Sequence, residues 1–98
     1  MSFSIELAEA AEVDIRDSFL WYENQKKNLG SSFEEQLTKA IDSIQSNPFK
    51  TQIRYQNIRV FFLKKFPLGI HFQVNEPENK ILILGLFHTS LDPVKWKR

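Results

Sequence analysis

The fold is decided by residues 81–87, which read Ile-Leu-Ile-Leu-Gly-Leu-Phe. This run is far shorter than the ~20 apolar residues that a membrane helix requires. It is apolar on both faces, which is typical of a strand in the interior of a sheet. Gly85 within the run predicts a bulge or a close backbone approach. An interior strand needs neighbours on both sides, and the preceding sequence supplies them.

Two further strands and a short N-terminal one are predicted from the preceding residues. Residues 58–63 read Ile-Arg-Val-Phe-Phe-Leu, and residues 70–74 alternate as Ile-His-Phe-Gln-Val. Turns are predicted at 66–69 and 75–79, where proline, glycine and asparagine cluster. The alternating segment Phe3–Leu7 predicts one more strand near the start of the chain.

Two helices are predicted between the first strand and the others. Each has apolar side chains at three- and four-residue steps: Ala8, Ala11, Ile15, Phe19 and Tyr22, then Phe33, Leu37, Ala40, Ile41 and Ile44. The pattern predicts that Leu29-Gly30 ends the first helix. Ser31 or Ser32, each followed three residues later by glutamate, is expected to start the second as a capping box. Asn47-Pro48 is expected to end it.

This order predicts one α+β domain over residues 1–98, with the N-terminal strand and an αα-hairpin packed on an antiparallel sheet of about four strands. Two helices cover one sheet face. We expect the other face to carry a mixed set of side chains: Arg59, Phe61, Leu63, His71 and Gln73. Two interpretations of that face are open. It is a binding surface, or the C-terminal segment with Trp96 folds over it.

Composition narrows the possible functions. The 98 residues include no cysteine, which excludes disulfides, thiol nucleophiles and cysteine-ligated metal sites. Residues 1–46 carry four basic and nine acidic groups, a balance of −5, whereas residues 47–98 carry nine basic and three acidic groups, a balance of +6. The second half is therefore expected to meet a polyanion or an acidic partner, unless the unevenness is chance. Acidic residues near the start argue against a secretory leader, so a cytoplasmic location is expected.

Few residues point to chemistry. The two histidines lie too far apart in sequence for a helical metal pair, so neither a metal nor a cofactor is predicted. Arg59 and His88 could serve phosphoryl chemistry if they converge, with arginine stabilising charge and histidine moving a proton. Otherwise they are a surface ion-pair member and a hydrogen-bonded strand end. Trp21 lies either at the edge of a partner groove or at the margin of the core.

The ordered series of these features resembles the RelE/ParE superfamily of bacterial type II toxins, and its ParE-like, plasmid-stabilisation branch in particular. The resemblance spans nearly the whole chain. It rests on Trp21-Tyr-Glu23, Leu29-Gly30, Phe33, Asn47-Pro48, Arg59, Phe66-Pro67, the 81–84 run and His88-x-x-x-Asp-Pro-x-x-Trp96.

The resemblance implies a toxin that a cognate antitoxin neutralises, with an antitoxin helix in a groove and an antitoxin strand on a sheet edge. ParE-like members act on DNA gyrase, and RelE-like members cut mRNA on the ribosome. The leading interpretation is a gyrase-directed toxin without catalysis, whose partner-binding residues are Trp21, Phe61, Leu63 and Trp96. The alternative is an endoribonuclease with Arg59, His88 and Lys95 as catalytic candidates. An inactive member that binds only antitoxin is a third interpretation.

Three positions depart from the pattern of the family. Leu91 stands where relatives commonly have arginine, Leu68 where many have tyrosine, and Phe72 carries no hydroxyl. Losing such a charge or hydroxyl costs a factor of about 100 or more in rate where the group stabilises a transition state. The departures therefore favour the gyrase interpretation over the ribonuclease, and they leave the inactive member open.

Overall fold

A computed structural model describes residues 3–90, which form a helical hairpin on a five-stranded sheet. The elements in chain order are β1 (Ser4–Leu7), α1 (Glu9–Gln25), α2 (Leu29–Ser46), a 3₁₀ turn (Pro48–Lys50), β2 (Ile53–Tyr55), β3 (Ile58–Phe62), β4 (Leu68–Asn75) and β5 (Lys80–His88). The predicted α+β arrangement is confirmed, with the short strand β2 added to it. Within the described residues, neither helix is long and apolar enough to cross a membrane.

The strands lie in the order β1-β5-β4-β3-β2. β1 runs parallel to β5, and every other pair is antiparallel. The run 81–87 therefore forms an interior strand, as its apolar faces predict. The bulge lies beside Gly85: His71 pairs with Gly85 while Phe72 pairs with Ile83, so Leu84 is the extra residue.

The helices cover the sheet face that carries Phe61 and Leu63, so the predicted assignment of faces is wrong. Phe61 pairs with Ile70, and Arg59 with Phe72. Paired residues point to the same side of a sheet, and Ile70 and Phe72 are wholly buried in the core under the helices. The opposite face carries Ile58, Val60, Phe62, His71 and Gln73. The set Ile58, Val60 and Phe62 is wholly apolar, whereas the helix-facing set includes Arg59. Alternation of apolar residues alone therefore pointed to the wrong face of β3.

The joint between the helices also differs from the prediction. α1 ends at Gln25, and Leu29-Gly30 begins α2 rather than ending α1. Ser31 and Ser32 therefore lie inside the first turn of α2 and are not its N-cap. Asn28 provides the left-handed residue at the joint, with φ of 70°. The apolar stripes of both helices and the end of α2 before Asn47-Pro48 are as predicted.

Glu23 supplies the cap that the serines were expected to provide. Its carboxylate accepts hydrogen bonds from the backbone N–H groups of Asn28 at 3.0 Å and Gly30 at 2.9 Å. These are donors at the start of α2, which have no partner inside the helix. Glycine at position 30 has a packing reason: a Cβ there would lie 2.8 Å from a ring carbon of Phe19. The glycine thus sets the approach of the two helices.

Candidate functional site

A cavity of about 500 Å³ lies between α1 and the ends of β4 and β5. We call it the α1 pocket, and its described lining consists of Asp17, Ser18, Trp21, Tyr22, Pro67, Leu68 and His88. The lining is mostly apolar, and its ionisable groups are the carboxylate of Asp17, the phenol of Tyr22 and the imidazole of His88. This combination is typical of a site that takes an apolar group with one polar function.

Aromatic rings support the wall of the α1 pocket. Trp21 is 58% exposed, and its indole meets the ring of Tyr22 edge-on, with centroids 5.1 Å apart. Tyr22 in turn contacts Phe33 at 5.6 Å and Phe66 at 4.8 Å, and both are buried. Burial raises the pKa of Tyr22 above its ordinary value. The exposed indole is thus held in place by a chain of packed rings.

His88 has a defined tautomer when it is neutral. The backbone N–H of Ser90 donates to His88 Nδ1 at 3.1 Å, and the Ser90 hydroxyl oxygen lies 2.6 Å from the same nitrogen. Because Nδ1 accepts a hydrogen bond from the backbone, the proton of the neutral ring is on Nε2. The imidazole therefore offers an N–H donor from Nε2.

A second surface surrounds the edge strand β2. We call it the β2 surface, and it consists of Phe49, Lys50, Ile53, Arg54, Arg59 and Phe62. Three of its apolar side chains are strongly exposed: Phe49 at 44%, Ile53 at 53% and Phe62 at 43%. The chain has no aspartate or glutamate from residue 43 to residue 75. The β2 surface is therefore basic and apolar at once.

Two cation–π pairs flank β2. The Arg59 guanidinium lies 5.1 Å from the centre of the Phe49 ring, and that of Arg54 lies 5.5 Å from the Phe62 ring. Arg59 also donates to the backbone carbonyl of Thr51. Arg59 and Phe62 belong to opposite sheet faces because they are three residues apart on β3. The cations therefore reach both sides of the edge strand.

Tyr55 and His71 join the edge strand to the sheet. The Tyr55 hydroxyl and His71 Nδ1 are hydrogen-bonded at 2.8 Å. His71 is only 1% exposed and meets the ring of Phe87 edge-on at 4.5 Å. A buried imidazole requires hydrogen-bond partners, and the tyrosine of β2 supplies one of them. The histidine thus has a structural role in holding β2.

The structure does not bring Arg59 and His88 together. Arg59 pairs with Phe72 and His88 with Leu68 on β4. Four residues along a strand span roughly 13 Å, and the two strands that flank β4 lie about 10 Å apart. Arg59 belongs to the β2 surface and His88 to the α1 pocket. The third catalytic candidate, Lys95, lies outside the described residues.

The partner-binding candidates are also divided. Trp21 lies in the α1 pocket, on its exposed rim. Phe61 and Leu63 line a separate small groove against α2, together with Ala40 and Lys64. Trp96 and the family position Leu91 lie outside the described residues. Leu68 lines the α1 pocket, and Phe72 is a core residue.

Of the six residues of the β2 surface, only Arg59 was a candidate from the sequence. Ile53 and Arg54 were not predicted to form a strand, because three residues carry too little periodicity. The absence of acidic residues from 43 to 75 was the available signal. Within residues 3–90, no three histidine, aspartate or glutamate side chains cluster closely enough to hold a metal ion.

Solved structures share this architecture. A chain of the chromosomal ParDE toxin–antitoxin system from P. aeruginosa has a TM-score of 0.76 at 15% identity, covering 90% of this chain and 97% of that one. A variant of the E. coli toxin RelE in the free state has a TM-score of 0.73 at 17% identity, covering 99% and 94%. The chain has the RelE/ParE fold.

A third structure agrees with this assignment. A chain of the intact E. coli RelBE toxin–antitoxin complex has a TM-score of 0.69 at 16% identity, covering 91% of this chain and 99% of that one. No protein-family model and no curated protein sequence matches the chain. The RelE/ParE likeness is therefore one of fold, at sequence identities that leave side chains free to diverge.

Proposed function

We propose that the protein is the toxin of a bacterial type II toxin–antitoxin pair, neutralised by a cognate antitoxin, and that it acts on DNA gyrase by binding. The proposal rests on the RelE/ParE fold together with one observation about the site. Arg59 pairs with Phe72 in the middle of β4 and His88 pairs with Leu68 at its start, on the two sides of that strand. Their backbones therefore lie roughly 16 Å apart, a separation that disfavours action on one reacting group. A toxin that works through a surface has no need for their convergence.

Phosphoryl transfer requires its catalytic groups close to the reacting atoms. A general base must lie within about 3 Å of the proton that it removes, or one water away. Charge stabilisation likewise requires a donor about 3 Å from the developing charge. Arg59 is in addition engaged by the Thr51 carbonyl and the Phe49 ring. The described residues thus favour binding over catalysis.

The ribosome-dependent endoribonuclease is the second candidate, and the β2 surface favours it. Exposed rings beside basic side chains are typical of surfaces that bind single-stranded nucleic acid. Arg54, Arg59 and Lys50 would contact phosphates, and Phe49 and Phe62 would stack on bases. Lys95 would join them as a further cation. A member that binds only antitoxin is the third candidate, because Leu91 and Leu68 depart from the family pattern.

One pair of assays separates these candidates. The purified protein is added to DNA gyrase with relaxed plasmid, and separately to a reconstituted translation reaction with labelled mRNA. We expect loss of supercoiling with mRNA left intact. Cut mRNA with normal supercoiling would overturn the gyrase proposal in favour of the ribonuclease. No effect in either assay, and normal growth when the soluble protein is expressed alone, would favour the antitoxin-binding member.

Two variants test which surface acts. In the gyrase assay we expect Arg59→Ala to retain most of the inhibition, because the proposed mechanism does not use an arginine as a catalyst. Arg16→Ala, on the exposed side of α1, serves as the matched control for removing one arginine. If Arg59→Ala abolishes toxicity and translation arrest while Arg16→Ala does not, the result favours the ribonuclease candidate over the gyrase proposal.

A further inference from the structure

We propose that the α1 pocket binds an arginine side chain that a partner protein presents next to an apolar residue. The guanidinium would meet Asp17, and its planar face and aliphatic stem would lie on the indole of Trp21. The neighbouring apolar residue would fill the space against Tyr22 and Leu68. This proposal concerns recognition alone and stands whether or not the protein is toxic.

The first observation that supports the proposal is that Trp21 is exposed while its ring packs against the partly buried Tyr22. Trp21 is 58% exposed, yet its ring is positioned by Tyr22, which is itself packed on Phe33 and Phe66. A rigid, exposed aromatic side chain binds with little loss of conformational entropy. Tryptophan is also the best partner for a cation, and arginine is the cation that stacks most often.

The second support is charge. Asp17 is exposed, and neither of the ion pairs between described residues uses it. α1 carries five acidic residues and one basic one, Arg16. A cationic partner group is therefore attracted to this helix, and an anionic one is repelled. The same charge disfavours a second copy of the chain, since pairing two copies through α1 would place two acidic helices side by side.

The third support is the polar group at the far side of the pocket. Nδ1 of His88 accepts from the Ser90 backbone, so Nε2 of the neutral ring is a donor. A partner main-chain carbonyl next to the arginine is a suitable acceptor. The pocket thus offers a carboxylate for the cation, a ring for its stem and an N–H for the adjoining backbone.

The test uses benzamidine as a probe, because it joins an apolar ring to a planar cation of the arginine type. Benzoate and benzyl alcohol have the same ring with an anionic and a neutral head. Binding to the full chain is followed by NMR through the indole N–H signal of Trp21, assigned with Trp21→Phe. We expect millimolar affinity for benzamidine, as for other fragments of this size, about tenfold weaker binding of benzyl alcohol, and no saturable binding of benzoate.

Matched variants separate the carboxylate and the indole from general effects. Asp17→Asn is expected to weaken the binding of benzamidine about tenfold. Asp42→Asn, which removes an exposed carboxylate from α2, is expected to leave that affinity unchanged. Trp21→Ala is expected to abolish binding, measured on the backbone amide of Tyr22, and Leu20→Ala, at the neighbouring exposed position, to preserve it. Both pairs alter exposed side chains, so the variants fold.

Several results would overturn the proposal. If benzoate binds as well as benzamidine, or if Asp17→Asn leaves the affinity for benzamidine unchanged, the pocket binds apolar groups without selecting a cation. A dimer in light scattering that Trp21→Ala dissociates would assign the pocket to a second copy. Tighter benzamidine binding in Trp96→Ala would assign it to the chain's own C-terminal segment. None of these outcomes depends on the gyrase or translation assays, so failure here leaves the proposed function to its own test.

Discussion

The α1 pocket and the β2 surface are opposite in charge. The pocket belongs to an acidic helix and has Asp17 on its rim. The β2 surface lies in a stretch of 33 residues, from 43 to 75, without a carboxylate. Both surfaces expose aromatic or aliphatic side chains. A single partner that covered both would need a basic segment at one end and an acidic segment at the other, which would fix its direction along the molecule.

The two regions also differ in how they are supported. The α1 pocket stands on buried rings and on a helix joint that Glu23 caps. The β2 surface stands on a three-residue edge strand, whose register shifts between Ile53 and Tyr55. Its hairpin turn uses Gln56 and Asn57, both with positive φ. Short, bulged and charged edges resist pairing with other strands. The α1 pocket is thus built on a well-packed part of the core, whereas the β2 surface is built on a short edge strand with few stabilising contacts.

The largest test of this difference compares two phenylalanines. Phe33→Ala, at a wholly buried position beneath the α1 pocket, is expected to lower the free energy of unfolding by about 3–5 kcal/mol. Phe49→Ala, at a position 44% exposed on the β2 surface, is expected to cost under ~1 kcal/mol. Urea denaturation measures both. Similar losses of unfolding free energy for the two variants would show that the two regions do not differ in how strongly they are packed.

The next test concerns the helix joint below the pocket. Glu23→Ala removes both hydrogen bonds to the start of α2 and is expected to cost about 1–2 kcal/mol. Glu34→Ala removes an exposed glutamate of α2 and serves as the control, with an expected change below ~0.5 kcal/mol. Thermal unfolding of both variants and the wild type measures these changes in stability. A Glu23 variant as stable as the control would mean that the joint is held by packing alone.

A smaller effect is expected from the tyrosines of the two regions. Tyr55→Phe removes the hydrogen bond to His71 and is expected to cost about 1 kcal/mol. It is also expected to speed hydrogen exchange of the β2 amides by more than that of the helices. Tyr22→Phe keeps the ring contacts with Phe33 and Phe66 and should be nearly neutral near pH 7. Uniform faster exchange in Tyr55→Phe would argue against a local role in holding β2.

The smallest effect is a pH dependence in alkaline solution. Burial raises the pKa of Tyr22 in the folded protein above its unfolded value. The folded state therefore holds this proton more tightly, and its stabilising contribution is complete below about pH 10. As the pH rises from there through the folded pKa, that contribution is lost. The wild type should accordingly lose stability more steeply than Tyr22→Phe over this range. If the free energy of unfolding falls equally with pH in the wild type and in Tyr22→Phe, the loss of stability does not come from Tyr22.

Local pattern predicted most of the fold. The apolar stripes of both helices, the stop before Pro48 and the interior position of residues 81–87 each follow from short-range periodicity or from a proline constraint. The start of α2 was predicted wrongly because its cap comes from Glu23, on the preceding helix. Strand β2 was missed because a three-residue segment is stabilised by its partner strand rather than by its own pattern.

The functional surfaces were less predictable. Trp21 could be named from sequence as a groove-edge candidate, but the rest of the α1 pocket comes from α1, β4 and β5, which meet only after folding. Arg59 and His88 look like one constellation in sequence, yet the pairing along β4 separates them. The sequence also did not show that Phe61 faces the helices, since that side of β3 includes Arg59 while the other side is wholly apolar.

The sequence by itself determined the element types, the resemblance in fold and the division of charge between the two halves, because periodicity and composition act locally. Tertiary structure alone decided which sheet face the helices cover, which carboxylate caps α2 and which side chains share a surface. Those outcomes depend on strand register and on contacts between residues distant in the chain, such as that of Asp14 with the Leu86 backbone N–H at 3.0 Å. No local pattern encodes such contacts.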